Sequence, residues 1–314
     1  MNAYQKFNQL AEQVTTEVVE QLNKGTVPWQ KPWTCYGLPK NYASGRHYEG
    51  FNAFYLHYLT AKRCFTAPYF LTFKQARELG GRVRKGEKGA QIVYWKVYAK
   101  NADTQAEEQA TEKENRSGSV FLPFLWTVFN IDQVEGVDYR LPTSPERNAQ
   151  QRIAACQAVV DHYPAPRPRI LHGGGQAFYA PTSDMVRVPE LRHFISPEAY
   201  HATLFHELIH STGHAARLDR FTEEEKASRF GDESYSREEL IAEMGASFLC
   251  AFTGIREMVF QNSVAYLQGW ASRLRNDNTM VIYAGNKAFK AASYILGLKP
   301  EASQQEQPPL ASAA

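Results

Sequence analysis

His206, Glu207 and His210 form the pattern H-E-x-x-H, and residues of these types at this spacing could hold a metal ion. Side chains four residues apart lie on one face of an α-helix, so both imidazole rings can reach the same cation. The intervening carboxylate would then contact a water molecule bound to that cation. The predicted chemistry is metal-assisted hydrolysis, in which zinc lowers the pKa of its water towards about 7 and Glu207 moves the proton.

A helix from Ser196 to about Gly213 is predicted to carry this motif. Ser196 is a typical N-cap, Pro197 suits the first helical position, and Glu198 lies near the positive end of the helix dipole. Apolar residues along one side of the segment allow the helix to lie in a core. The alternative interpretation is a buried structural helix whose two histidines are hydrogen-bonded rather than bound to a metal.

A zinc site of this type needs a third protein ligand, and two glutamates compete for that role. Glu239 and Glu243 lie four residues apart in a helix-patterned segment, on one face with small alanine residues. We expect Glu239 to be the ligand and Glu243 to be the acceptor that orients a histidine ring. The roles could be reversed, because Ser236 and Glu239 also fit a capping box, which would make Glu243 the ligand.

His214 offers a different ligand set, because the segment after the motif partly matches the metzincin pattern H-E-x-x-H-x-x-G-x-x-H. Gly213 fits that pattern, but the position of its third histidine is occupied by Ala216. On a continuous helix, His214 would lie about 12 Å along the axis from His206, which is too far to share one ion. We therefore expect His214 to lie at the helix terminus or to support a ligand.

Two short strands are predicted upstream of the motif, at residues 176–179 and 185–188, joined by a turn. If one of them is an exposed edge strand beside the metal, it could bind an extended peptide by strand addition. An ordinary surface hairpin is the alternative interpretation.

Charge is distributed unevenly along the chain. Residues 1–100 contain 15 Lys and Arg against six Asp and Glu, a formal charge of +9, whereas residues 101–314 contain 20 against 27, a formal charge of −7. The overall charge of +2 conceals this asymmetry. A basic half joined to an acidic half suggests that the first half binds a polyanion.

Aromatic residues alternate with the basic residues of this first half, a combination that favours binding of single-stranded nucleic acid. Bases stack on aromatic rings, and Lys or Arg neutralises phosphates. The alternative is that the aromatic residues belong to the core and the charges to a solvated face. The candidate DNA-binding residues are Trp29, Lys31, Trp33, Arg46, Lys74, Arg82, Arg84, Lys85, Lys88 and Trp95.

Several segments spread over nearly the whole chain resemble the ArdC antirestriction family. They are residues 27–33 (VPWQKPW), 48–52 (YEGFN), 72–76 (TFKQA), 83–88 (VRKGEK), 128–133 (VFNIDQ), and 206–210 with 238–243. The family is also similar at its N-terminus to plasmid-transfer primases of the TraC type. The resemblance implies a single-stranded-DNA-binding domain joined to a zincin-like metallopeptidase domain. It further implies a plasmid or mobile-element protein that protects incoming DNA from host restriction.

The expected fold is therefore α+β with two domains. We predict a DNA-binding domain at 1–135 with a disordered loop at about 101–119, a linker at 136–150, a metallopeptidase domain at 151–298 and a disordered tail at 299–314. The expected ion is Zn²⁺, with Mn²⁺ or another divalent ion as the alternative. The chain lacks a secretion signal or membrane-spanning pattern, so a cytoplasmic protein is expected.

Two other functions are compatible with the sequence. The protein could protect DNA by coating it, with a structural or degenerate metal site, or it could be a primase accessory protein. No acidic cluster suited to two magnesium ions is evident near the basic half, which argues against polymerisation.

Overall fold

A computed structural model describes residues 1–28, 37–99, 119–141, 147–221, 233–255 and 264–298. Its helices are α1 (Ala3–Asn23), α2 (Gly50–Lys62), α3 (Phe73–Glu78), α4 (Ala149–Asp161), α5 (Pro197–Ser211), α6 (Glu233–Thr253), α7 (Val264–Asn276) and α8 (Met280–Ile295). Its strands are β1 (Lys40–Asn41), β2 (Tyr69–Thr72), β3 (Arg82–Val83), β4 (Ala90–Ala99), β5 (Ser119–Asn130), β6 (Val134–Glu135), β7 (Arg169–His172), β8 (Phe178–Ala180) and β9 (Met185–Val188). This mixture of helices and strands confirms the predicted α+β class.

The described chain divides into two compact units. The first comprises residues 1–147 and 256–287, and the second comprises residues 148–255 and 288–314. The predicted second domain began at a similar position, at residue 151, but it included the segment that the structure groups with the first unit. α7 packs against α1, and the Thr15 hydroxyl donates to the Asn278 carbonyl at 2.8 Å. These long-range contacts attach a C-terminal segment to the N-terminal unit.

The first unit is built on a four-stranded sheet in the order β1-β2-β5-β4. β1 and β2 are parallel, and the other two pairs are antiparallel. β4 is an edge strand, and the Asn52 side chain on α2 bonds to both the N–H and the carbonyl of Val93 at 2.9 and 2.8 Å. This amide satisfies backbone groups that the sheet itself leaves unpaired at that edge.

α1 follows the helical pattern expected from its sequence. Asn2 and Gln5 form a capping box at its start, and its buried residues recur at intervals of three and four. This spacing places the apolar side chains on one stripe, which the unit covers. The stripe consists of Phe7, Leu10, Ala11, Val14, Val18 and Leu22 among others.

The second unit combines α4, α5, α6 and the end of α8 with a three-stranded sheet in the order β7-β9-β8. β7 is parallel to β9, and β8 is antiparallel to it. The predicted hairpin is confirmed, and β8 lies at an edge of this sheet. α5 contacts both β8 and β9, so the sheet supports the helix that carries the H-E-x-x-H motif.

The predicted loop at 101–119 and the tail at 299–314 lie almost entirely outside the described residues. Within the described ranges, no helix combines the length and the apolar character needed to cross a membrane.

Candidate metal centre and nucleic-acid surface

The H-E-x-x-H motif lies on α5, which begins where the sequence predicted. The Ser196 hydroxyl accepts a hydrogen bond from the Ala199 N–H at 3.1 Å, and Pro197 occupies the first turn. This cap supplies one acceptor for the N–H groups that have no partner within the helix. The helix ends at Ser211, two residues before the predicted end at Gly213.

α6 supplies the second part of the site and packs closely against α5. A Cβ added to Gly245 would lie 2.8 Å from the Ile209 side chain, so only glycine allows the observed approach. Ala242 and Ala246 are fully buried on the same helix. Because α6 begins at Glu233, Ser236 lies inside the helix, and the capping-box interpretation of Glu239 is wrong.

His206, His210 and Glu239 converge at the interface between these helices. The two Nε2 atoms lie 3.1 Å apart. One oxygen of Glu239 lies 3.4 Å from Nε2 of His206, and the other lies 3.3 Å from Nε2 of His210. Among the described residues, this is the one group of three or more potential ligands whose donor atoms lie within 4.8 Å of one another.

Each of these separations is close to the distance between two ligands of a tetrahedral metal site, with the carboxylate presenting a different oxygen to each imidazole. Ligand atoms about 2.0–2.1 Å from a tetrahedral ion lie about 3.3 Å from one another, close to each of the three distances. The donor set of two imidazole nitrogens and one carboxylate also leaves a fourth position for water or substrate. The three side chains are 12–24% exposed, so this position can be reached from solvent.

The electrostatic field at the site favours positive charge. Burial alone would lower the pKa of His210, but the Glu239 and Glu238 carboxylates outweigh it, and the pKa lies well above its usual value. Burial likewise raises the pKa of Glu239, but attraction to His210 and hydrogen bonds to both histidines bring it well below its usual value. A field that retains protons on these imidazoles also attracts a cation in their place.

Glu207 lies between the two histidines on α5 and is buried, with 7% of its surface exposed. Burial lowers the pKa of His206, but the hydrogen bond to Glu239 and then the charge of Glu207 outweigh it and raise the pKa above its usual value. Glu207 lies outside the group of three potential ligands and is thus available for another role.

Glu238 is a residue whose role the sequence analysis missed. Its Oε1 lies 3.2 Å from Nδ1 of His210, on the opposite side of the ring from the converging Nε2 atom. Arg220 donates to both oxygens of this carboxylate, from Nε at 2.9 Å and from Nη2 at 2.6 Å. Burial raises the pKa of Glu238, but Arg220 and then His210 outweigh it, so the pKa lies below its usual value.

Glu243, predicted to orient a histidine ring, is buried on α6 and remains a candidate for that role. His214 lies in the turn after α5, where its Nδ1 accepts a hydrogen bond from the Ala216 N–H at 3.1 Å. It lies outside the group of three potential ligands, which agrees with its predicted position near the helix terminus.

A second buried arginine ties the sheet to the end of α5. The Arg217 side chain forms an ion pair with Asp184, and it donates to the Ser211 carbonyl at 2.7 Å. Its Nη2 also donates to the Tyr179 hydroxyl at 3.2 Å, so β8 and the β8–β9 turn are held against α5. An open cavity of about 520 Å³ in the same unit is lined by Gly174, Gly175, Pro189, His193 and Phe194.

Four of the candidate DNA-binding residues, Arg82, Arg84, Lys85 and Lys88, lie on β3 and in the loop between β3 and β4, which we call the basic loop. Arg82 forms an ion pair with Glu135 at 2.7 Å, and Arg84 forms one with Glu87 at 2.9 Å. Lys85 and Lys88 are exposed and have no ion pair among the described residues. Their charges are therefore the most available to an anionic ligand.

Hydrogen bonds from Gln133 and Arg63 fix the backbone of this loop. The Gln133 amide donates to Glu87 at 2.8 Å and to the Lys88 carbonyl at 3.0 Å. Hydrogen bonds from Gln133 and then Arg84 lower the pKa of Glu87. Arg63 donates to the Lys88 carbonyl at 2.7 Å. The exposed lysines are thus attached to an ordered backbone.

Exposed aromatic side chains lie on the adjoining β4–β5 ribbon. Tyr94 is 48% exposed and Trp126 is 38% exposed, and register pairs them with Phe124 and Ile92 on one face. The predicted Trp95 lies on the other face, where it is 42% exposed and its ring centroid lies 5.1 Å from that of Phe7 of α1. The alternation of a strand predicts that Tyr94 and Trp95 point apart, but Trp126 was missed.

Two other predicted DNA-binding residues lie on other elements of the first unit. Arg46 is exposed in the turn after β1, and Lys74 is exposed on α3, 3.7 Å from Glu78. Trp29, Lys31 and Trp33 lie outside the described residues.

Two known domain families match this chain. Residues 8–129 match the N-terminal domain of anti-restriction factor ArdC. Residues 159–287 match the zincin-like metallopeptidase family. The matched range contains the H-E-x-x-H motif on α5 and both Glu239 and Glu243 on α6. The two matches confirm the two-domain organisation that the resemblance implied.

Similar proteins include a DNA primase named TraC from Escherichia coli, 34% identical over 317 residues that cover 94% of this chain but 20% of the primase. The chain thus spans about a fifth of that relative. Crystal structures of the antirestriction ArdC protein from plasmid R388 are also similar, at 33% identity over 92% of this chain and 97% of that one. The TM-score is 0.67 for its metal-free form and 0.68 for its Mn(II)-bound form. The chain belongs to the ArdC antirestriction family.

Proposed function

We propose that this chain protects incoming DNA of a conjugative plasmid or other mobile element, and that it combines single-stranded-DNA binding with a zinc-dependent peptidase centre. The observation that carries the enzymatic part is the convergence of His206, His210 and Glu239, with donor atoms 3.1–3.4 Å apart. Such spacing fits a three-ligand catalytic site better than a closed structural site with four protein ligands.

The chain's own residues fit peptide hydrolysis. A divalent ion held by the three ligands would supply an acidified water and a polarised carbonyl. Glu207, adjacent to His206 on α5, would accept a proton from such a water and return it to the leaving amine. β8, at the edge of its sheet and in contact with α5, offers backbone groups to an extended peptide.

The ion we propose is zinc, because two imidazoles and a carboxylate in tetrahedral spacing suit it. Manganese is the alternative, since a similar protein has been crystallised with Mn(II). Both ions accept nitrogen and oxygen ligands, so the preference for zinc rests on the tetrahedral spacing of the donor atoms.

The proposal of DNA binding rests on two neighbouring features, the basic loop before β4 and the face of the β4–β5 ribbon that carries Tyr94 and Trp126. Lys85 and Lys88 present unpaired charges just before the strand begins, and Tyr94 lies four residues into it. Tyr94 and Trp126 are about 7 Å apart along the ribbon, because their register positions differ by two residues. Phosphates at the lysines and bases at these rings would suit a single strand, whose bases are free to stack.

We expect the double substitution Lys85→Ala and Lys88→Ala to weaken single-stranded DNA binding and its salt dependence. Each lost phosphate contact lowers the slope of log K against log salt by about 0.7 for a single strand, so two lower it by about 1.4. Fluorescence anisotropy with a labelled oligonucleotide at several salt concentrations measures this slope.

The matched control replaces Lys6 and Lys24, two exposed lysines on and just after α1, which removes the same net charge elsewhere. If the control variant loses as much slope as the loop variant, the loop has no special role.

Protection by coating alone is the competing function, and transfer experiments distinguish it. A strain that receives a restriction-sensitive plasmid is scored for transfer with the native chain or with Glu207→Ala. If hydrolysis is required, we expect protection to fall with this variant while DNA affinity is unchanged. Full protection by Glu207→Ala would exclude peptide hydrolysis as the mechanism.

The similarity to a TraC primase favours a primase-associated role as the second candidate. Because this chain covers 20% of that protein, polymerising activity can reside in the part that it does not share. Primer synthesis by the purified chain on a single-stranded template would overturn our assignment.

A further inference from the structure

The geometry points to Arg220 as a positioning residue of the metal centre: through the Glu238 carboxylate, it holds His210 with Nε2 directed at the ion. This inference deepens the proposed function and rests on it. Arg220 lies in the loop after α5, outside the H-E-x-x-H motif and outside the ligand set.

Arg220 connects both ligand-bearing helices. Its Nη1 donates to the Thr212 hydroxyl at 2.8 Å and its Nη2 to the Ile209 carbonyl at 3.0 Å, both at the end of α5. The same guanidinium donates hydrogen bonds to both carboxylate oxygens of Glu238 on α6. The Arg220 side chain is 3% exposed, and that of Glu238 is 10% exposed, so solvent offers little replacement for these bonds.

The two hydrogen bonds from Arg220 determine which carboxylate oxygen of Glu238 faces His210. Glu238 Oε1 receives Nη2 of Arg220 and faces Nδ1 of His210, while Oε2 receives Nε of Arg220. Because a carboxylate only accepts hydrogen bonds, it selects the tautomer that carries its proton on Nδ1. In that tautomer the Nε2 lone pair is free for a cation.

Removal of the guanidinium would release this arrangement. Glu238 would be left buried without its opposite charge, and the carboxylate could turn away from His210. Loss of such a supporting group typically costs 10–100-fold in metal affinity. Lysine cannot replace it, because an ammonium lacks the planar fork that spans both oxygens.

Arg217 provides a matched control within the same unit. Its side chain is also buried, and it also bonds to a carbonyl at the end of α5, at Ser211. Its carboxylate partner is Asp184, which lies in the β8–β9 turn and contacts neither ligand histidine. Loss of either arginine loosens the fold, but only loss of Arg220 affects the support of His210.

The experiment compares zinc affinity of the full chain with that of Arg220→Met and Arg217→Met, by competition with a chromophoric chelator. Thermal unfolding of the metal-free proteins measures the loss of stability in each variant. The Nδ1 proton of His210 in the zinc-loaded chain is observed by ¹H–¹⁵N NMR. We expect a loss of 10–100-fold in zinc affinity for Arg220→Met, a loss below about threefold for Arg217→Met, and disappearance of the protected Nδ1 proton only in Arg220→Met.

Equal losses of affinity in the two variants, or a retained Nδ1 signal in Arg220→Met, would overturn the inference. If Arg220→Met does not fold, Glu238→Met decides, because it removes the only acceptor that the described residues place at Nδ1 of His210. Native zinc affinity in Glu238→Met would then contradict the positioning role. Failure of the native chain to bind zinc or manganese would instead contradict the proposed function.

Discussion

Replacing Glu239 by alanine is expected to remove metal binding at the centre on α5 and α6. One oxygen of the Glu239 carboxylate lies 3.4 Å from Nε2 of His206, and the other lies 3.3 Å from Nε2 of His210. Glu239 is the one carboxylate in the three-ligand group, so its loss leaves only the two histidines to hold the ion. Zinc sites in small proteins are worth roughly 10–16 kcal/mol, so one ligand among three or four contributes about 3–4 kcal/mol. This corresponds to a loss of roughly 10²–10³-fold in affinity.

Glu243→Ala is the matched control, because it removes the same buried functional group from the same helix, four residues further on. If Glu243 orients a ring from outside the ligand set, its loss should cost at most about 10–100-fold. Metal content by plasma emission spectrometry and affinity by isothermal titration measure both variants. Retention of metal by Glu239→Ala together with its loss in Glu243→Ala would assign the ligand role to Glu243 instead.

The second large effect is expected at Glu207. Replacing it by glutamine keeps the shape and the buried position of the side chain but removes its ability to accept a proton. General acid–base catalysis by such a group contributes about 10²–10⁴-fold, and we expect peptide hydrolysis to fall by that factor. New peptide termini that appear when the metal-loaded chain is incubated with an unfolded protein, counted by mass spectrometry, give the rate.

Metal content must remain native in Glu207→Gln for this result to be interpreted, because Glu207 is outside the ligand group. Glu198→Gln is the matched control: Glu198 lies in the first turn of the same helix, 3.8 Å from Arg152, and should retain native hydrolysis. Undiminished hydrolysis by Glu207→Gln would show that another group accepts the proton.

Local sequence signals predicted the elements that carry the site. Ser196 and Pro197 identified the start of α5, and spacing alone placed His206 and His210 on one face. Such features depend on interactions within one or two helical turns, so a single segment contains all the information they need.

Tertiary structure decided which distant residues join them. Glu238 and Arg220 are separated from His210 by 28 and 10 residues, and they meet it only because α5 and α6 approach closely where Gly245 faces Ile209. No local period encodes such a contact. In the same way, tertiary packing placed Phe7 of α1 beside Trp95 and left Tyr94 and Trp126 exposed on the other face of the ribbon. The H-E-x-x-H motif and the charge asymmetry of the chain can be read from the sequence. The position of the third ligand, the contact of Arg220 with Glu238 and the exposed aromatic face follow from packing between segments far apart in the chain.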